Sequence, residues 1–366
     1  MIDNGSASPA FGVYCHIPFC THRCDYCAFA TWTDRSHLIG DYMASCRRQA
    51  QELAAGMPPV TSVFFGGGTP NLVQPSLLGD VLAELPLAQG AEITVECNPD
   101  LVTPEQMQAY RAFGVNRISL GVQSAVPHVL DALGRRHDPP MVAAGVDAVR
   151  EAGIGQLNLD LIYGSLAESL PDWKRTLVQA IDLEPDHLSV YGLTPEPGTP
   201  LGDDPARHPD EDEMADKYLL ADELLARAGY EIYEISNWAR PGAQCRHNLL
   251  YWRQGSYAGI GCAAHSHRDG LRFWSVRTPE RFIAAISAGT SPMAGSEELG
   301  PDERRVEALQ LALRTSAGVP ADAVPGDVEH LLEPAAGGRL KLTARGRLLA
   351  NEVAVRLGLP SEIQRG

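Results

Sequence analysis

The chain has 366 residues, 44% hydrophobic and 21% charged, which is long enough for two or three structural units and too apolar for disorder throughout. Its 46 Asp and Glu against 30 Lys and Arg give a formal charge of −16, which excludes a bulk nucleic-acid or anionic-membrane binder, because phosphate binding needs concentrated cations. Neither a basic leader with an apolar core nor an apolar run of about 18 residues occurs, so a cytoplasmic protein without an integral membrane segment is expected.

Short β-rich runs at 13–16, 62–65, 93–96, 117–121, 156–162 and 187–191 alternate with helical stretches and predict six βα units. Such alternation indicates a parallel sheet with crossover helices, and apolar runs such as VFF and DLIYG suit strands buried on both faces. Thr103, Pro104 and Gln106 form a capping-box pattern before Met107, Tyr110 and Phe113, and Gly114 stops that helix. The Pro-, Gly- and Asp-rich segment 195–209 marks the end of the repeated region.

A long helix follows. The run Asp210-Glu211-Asp212-Glu213 reads as a helix first turn stabilised by the dipole rather than as a cation site, with Met214, Tyr218 and Leu225 as its apolar stripe. A strand is expected at 230–236, a polar and aromatic loop region at 237–277, and helices with one short turn toward the C-terminus. Three units result: 1–200, 201–295 and 296–366. The basic stretch RLKLTARGRLLANEVAVRLGL in the last unit resembles the small winged-helix end of some multi-domain enzymes, and packing or partner contact suits it better than DNA binding in so acidic a chain.

The eight cysteines are unevenly placed: Cys15, Cys20, Cys24 and Cys27 lie within thirteen positions, whereas Cys46, Cys97, Cys245 and Cys262 are scattered and read as buried thiols. Cys20, Cys24 and Cys27 form C-x3-C-x2-C. Three thiolates on one loop can hold three irons of a 4Fe-4S cluster and leave the fourth open to an exchangeable ligand. A zinc site recruiting Cys15, His16 or His22 is the alternative. The second element is Val63-Phe64-Phe65-Gly66-Gly67-Gly68-Thr69-Pro70, an apolar strand entering three glycines that allow close backbone approach to a ligand. Glu96, Gln123, Arg135 and Asp160 lie at or near later strand ends, where ligands bind in barrels and open α/β sheets.

The cysteine spacing, with Tyr26 between the second and third cysteines, resembles the signature of the radical S-adenosylmethionine (SAM) superfamily. YCHIPFC, FFGGGTP, GVNRISLGVQS and NLDLIYG together resemble its branch containing oxygen-independent coproporphyrinogen III oxidase and a group of heme chaperones, over about residues 10–357. The resemblance implies an α/β fold, a radical SAM partial (β/α)6 barrel with a C-terminal, mainly helical, winged-helix-like domain. It also implies that Cys20, Cys24 and Cys27 ligate a 4Fe-4S cluster, and that Tyr14, Tyr26, Gly67, Gly68, Thr69, Glu96, Gln123, Arg135 and Asp160 contact SAM.

Phe29 stands where the oxidase has a fourth cysteine, and His247-Asn248-Leu249-Leu250-Tyr251-Trp252 looks like the HNxxYW motif associated with heme in the chaperones. Both favour a heme chaperone, with heme held near His247 and transferred to acceptor heme proteins; respiratory ones are what the resemblance implies. The alternative is the oxidase, a radical SAM decarboxylase of coproporphyrinogen III. Cys245, Cys262, His265 and His267 offer a competing metal reading with irregular spacing. Cys15 stands where relatives commonly have valine and is near enough in sequence to compete during cluster assembly, so a cluster count needs a Cys15→Ala control. A monomer or dimer is expected.

Overall fold

The structure, a computed structural model, describes residues 10–357. All six expected strands form: β1 (Phe11–Ile17), β2 (Val60–Gly67), β3 (Leu87–Cys97), β4 (Arg117–Gln123), β5 (Gln156–Tyr163) and β6 (His187–Gly192). Between them run α1 (Ile39–Ala54), α2 (Pro75–Ala83), α3 (Pro104–Ala112), α4 (Pro127–Ala132), α5 (Pro139–Glu151) and α6 (Leu170–Asp182). Beyond β6 come α7 (Glu211–Arg227), β7 (Glu231–Glu234), β8 (Asn237–Ala239), α8 (Arg246–Trp252), β9 (Ser256–Ile260), β10 (His265–Arg268) and β11 (Leu271–Ser275). The chain continues through α9 (Pro279–Ser287), β12 (Met293–Glu298), α10 (Pro301–Leu313), β13 (Val319–Pro320), β14 (Leu332–Ala335), β15 (Arg339–Leu342), α11 (Ala344–Leu348) and α12 (Ala350–Ala354).

One sheet carries twelve of these strands in the order β12-β11-β10-β9-β1-β2-β3-β4-β5-β6-β8-β7. Its centre, from β9 to β6, is parallel, and antiparallel strands extend both ends. The region 237–277 is therefore not a loop. Its strands are short, polar and interrupted by Gly255, Gly261 and Gly270, so no run is long enough to show a period in sequence. The C-terminal part also adds a three-stranded sheet, β13-β15-β14, to its helices, with its own core around Leu313, Val319 and Val353. No helix among the described residues is long and apolar enough to cross a membrane.

The strands are buried on both faces, as expected, but the chemistry of the two faces differs. Val13, Val63, Val95, Leu120, Leu159 and Val190 are buried in the hydrophobic core on one face, as the period of two requires. Their neighbours Tyr14, Phe64, Glu96, Ser119, Asp160 and Ser189 line one shared cavity on the other. A sheet whose β1 to β6 all face one cavity is wrapped into a partial barrel.

Local signals act largely as read. The Thr103 side chain caps α3 by accepting from Gln106 N (3.2 Å), but the Gln106 amide donates to Asn71 O (2.8 Å) instead of returning to the cap. Asp210 caps α7 by accepting from Asp212 N and Glu213 N, each 3.0 Å, which accounts for the acidic run.

Helix α8 closes the N-terminal mouth of the barrel. The buried Glu92 on β3 accepts Arg246 N and His247 N, each 3.0 Å, and Arg117 Nη1 on β4 donates to Ala243 O (3.1 Å). Two amides at the start of a helix thus meet a carboxylate, which satisfies orphan donors with a favourably placed charge. Glu92→Ala is expected to lower the stability of the chain by about 2 kcal/mol, because it strands the buried His247 amide and the part-buried Arg246 amide. Urea unfolding, with Glu92→Gln losing less, checks this.

Candidate functional site

At the carboxyl ends of the strands a cavity of about 390 Å3 is walled by Cys20, Cys24, Cys27, Tyr26, Gly67, Gly68, Thr69, Glu96, Gln123, Arg135 and Asp160. Eleven residues from the first 160 of the sequence, expected to converge, do so. Tyr14 lies just below, on the wall of the larger interior cavity of about 560 Å3, which shares Gly67, Glu96 and Asp160 with the upper one.

The cysteine loop is tied to the barrel by β1 and β2. Gly68 N donates to Ile17 O and Thr69 N to Phe19 O, each 2.8 Å, while Cys20 N donates to Trp32 O (3.1 Å). His16 Nε2 lies 2.9 Å from Ala30 O, a pure acceptor, so this nitrogen carries the proton and Nδ1 accepts from Tyr14 OH (3.0 Å). Burial pushes the His16 pKa down, which keeps that neutral tautomer.

The glycines are required by contact. A Cβ on Gly68 would lie 2.7 Å from Phe19 O and 3.1 Å from Cys20 Sγ, and Gly67 sits at φ +111°. Thr69 Oγ1 donates toward Cys20 Sγ (3.5 Å), and Arg135 Nη1 toward Cys24 Sγ (3.6 Å). Arg135 Nη2 also donates to Asn98 Oδ1 and Gly121 O (2.9 Å each), leaving its buried Nε without a partner. Gln123 reaches the cavity through a bulge in β4, at φ +63°.

Asn98 was missed by the sequence reading. It donates to Thr69 Oγ1 (3.2 Å) and accepts from Arg135, so it joins both sulfur-directed donors; its position two residues after Glu96 at a strand end was the available signal. Donors aimed at two thiols, a glycine cradle against a third wall and an unpartnered guanidinium nitrogen fit an anionic iron–sulfur cluster and a charged ligand beside it.

Two of the expected positions change character. Cys15 is fully buried on the helix-facing side of β1, in the core that also holds Cys46 and Cys262, and cannot compete for the cluster. Side-chain alternation along β1 puts it opposite Tyr14 and His16. His247 lies at the far end of the interior cavity, 1% exposed, with Nδ1 2.9 Å from Ser62 Oγ and Nε2 2.8 Å from Tyr251 OH. Burial pushes its pKa down to about 3, and Phe64 stacks on it with ring centroids 5.4 Å apart. His247, expected to hold heme, is here a neutral, hydrogen-bonded side chain of the plug. Cys245 and Cys262 are buried apart, one beside Glu92 and one beside Tyr42, so the competing metal reading does not assemble.

Set beside known proteins, residues 14–180 match the radical SAM superfamily model. A Mycobacterium tuberculosis protein named heme chaperone HemW is 41% identical over 94% of this chain and 93% of its own length. The Escherichia coli heme chaperone HemW is 41% identical over 75% of this chain and 76% of its own. Among solved structures, coproporphyrinogen III oxidase from Escherichia coli shares the fold, with a TM-score of 0.80 over 95% of this chain and 90% of that one, at 20% identity. The three-cysteine loop, the glycine cradle and the partial barrel define a radical SAM protein. Within that superfamily, the chain belongs to the heme chaperone HemW family.

Burial, then the Asp160 carboxylate, raises the Glu96 pKa from 4.5 to about 7, against the opposing hydrogen bond from Gly67 N (2.9 Å). Because the folded state holds this proton more tightly, the stabilisation it gives is full below pH 4.5 and is lost as pH rises through about 7. Glu96→Gln is expected to flatten that part of the stability profile, read by urea unfolding of apo-protein at steps across this window.

Proposed function

We propose that this chain is a heme chaperone: it binds heme and transfers it to acceptor heme proteins, on a radical SAM core that carries one 4Fe-4S cluster and SAM. The observation that carries the reading is Phe29, 64% exposed on the rim of both cavities at the position where the oxidase pattern has its fourth cysteine. The Mycobacterium tuberculosis relative named heme chaperone matches 94% of the chain and supports the same reading.

In this account Cys20, Cys24 and Cys27 hold the cluster, with Thr69 and Arg135 donating toward their sulfurs. The superfamily's chemistry with such a cluster is reductive cleavage of SAM. Tyr14, Tyr26, Gly67, Gly68, Glu96, Gln123 and Asp160 shape and charge the SAM pocket. Gly67 N is already engaged by Glu96, so that carboxylate fixes the cradle and remains available to an ammonium group. His247 acts as a support that holds α8 in place. Respiratory proteins are the acceptors this reading assigns.

Anaerobically reconstituted protein is expected to show iron–sulfur absorption that Cys24→Ser abolishes, and to bind one heme per chain and release it to an apo-hemoprotein. Absence of heme binding, together with SAM- and reductant-dependent formation of protoporphyrinogen from coproporphyrinogen III, would make the chain an oxidase instead.

A further inference from the structure

Among the described residues four imidazoles line the interior cavity: His16, His187, His247 and His265. The first three are buried, and each has both ring nitrogens taken up by the fold. His16 is held by Tyr14 OH and Ala30 O, His187 by Asn158 Oδ1 (2.6 Å) and Tyr233 OH (2.8 Å), and His247 by Ser62 Oγ and Tyr251 OH. His265 differs in both respects. Its side chain is exposed, and neither ring nitrogen has a hydrogen-bond partner among the described residues. What orients the ring is Trp274, its partner across β10 and β11, which stacks on it with centroids 5.7 Å apart and planes at 28°.

The cavity around this free imidazole has about 560 Å3, within the range of small-molecule pockets, about 300–1,000 Å3. It reaches solvent on the side of His265 and Phe29, both exposed and both on its wall. Aromatic faces line it as well, among them Tyr251 of α8 and Tyr257 of β9, whose centroids lie 4.7 Å apart. Two polar groups on the wall lack partners of their own, the buried Thr94 Oγ1 and, among the described residues, the Asn248 amide. A flat aromatic body carrying a coordinating metal and a few polar substituents fits this lining: ring faces for the body and an unengaged imidazole for the metal. His265 lines the interior cavity and not the upper one that the cysteines share, so its use does not compete with the cluster.

We infer that His265 is an axial ligand of the heme that this chain carries, taken up at the solvent-open side of the interior cavity with Asn248 and Tyr251 of α8 as part of its wall. This rests on the reading of the chain as a heme carrier. The HNxxYW segment keeps its association with heme through the cavity it lines, while His247 keeps both of its hydrogen bonds. A ligand on an exposed hairpin also suits a protein that hands its cargo on. The bond from iron to His265 breaks as one to the acceptor's own ligand forms, with no change in oxidation state and no disturbance of the α8 plug.

The test is an anaerobic titration of the full-length, cluster-reconstituted chain with hemin, followed by absorbance and by EPR of the bound ferric heme. The wild type is compared with His265→Ala, with His265→Ala in free imidazole, and with His247→Gln. His265→Ala is expected to weaken hemin at least about tenfold and to shift its spectrum away from that of an imidazole-ligated iron. Free imidazole should restore the wild-type spectrum, which a merely structural role of His265 would not allow, and His247→Gln should retain it. Unchanged iron–sulfur absorbance before hemin is added shows that each variant is folded. Bound heme that keeps the wild-type spectrum in His265→Ala, or loses it in folded His247→Gln, overturns the assignment and leaves the heme-carrier reading standing; no hemin binding by the wild type overturns that reading and the assignment with it.

Discussion

A barrel interior lined by polar side chains can exist only if those groups satisfy one another, and this constraint organises the molecule. Asn158 bonds Ser119 and Asp160, His187 bonds Asn158 and Tyr233, and Arg117 bonds Gln156 and the backbone ahead of α8. Buried polar groups left alone would each cost about 1–3 kcal/mol, so the network makes the cavity tolerable as well as polar. The outward face of the same strands, Val13 through Val190, supplies the apolar burial that holds the sheet under its helices.

The upper half of this design was legible in the sequence because its signals are local. C-x3-C-x2-C lies on one loop, Gly66 to Thr69 follow one strand directly, and each strand end carries its own polar residue. Asn98 escaped notice because its importance comes from joining Thr69 to Arg135, residues distant from each other in sequence. Cys15 was misjudged for a related reason. Its nearness to Cys20 in the chain says nothing about facing, and the two-residue period of β1 turns it into the core.

The lower half was not legible. Residues 237–277 lack a sustained period, since β8 to β11 are three to five residues long and lie toward the ends of the sheet, so their place is fixed by pairing with β6, β1 and β12 rather than by their own pattern. The HNxxYW segment was read as one heme-associated motif; a helical turn divides it, sending His247 and Tyr251 inward and Trp252 outward.

That division bears on what the interior cavity can accept. A heme iron inside the barrel would share the cavity with Glu96 and Asp160 and would have to displace the Ser62 or Tyr251 bond to reach His247. Breaking either bond leaves a buried hydroxyl to satisfy, and it loosens the plug that Glu92 anchors.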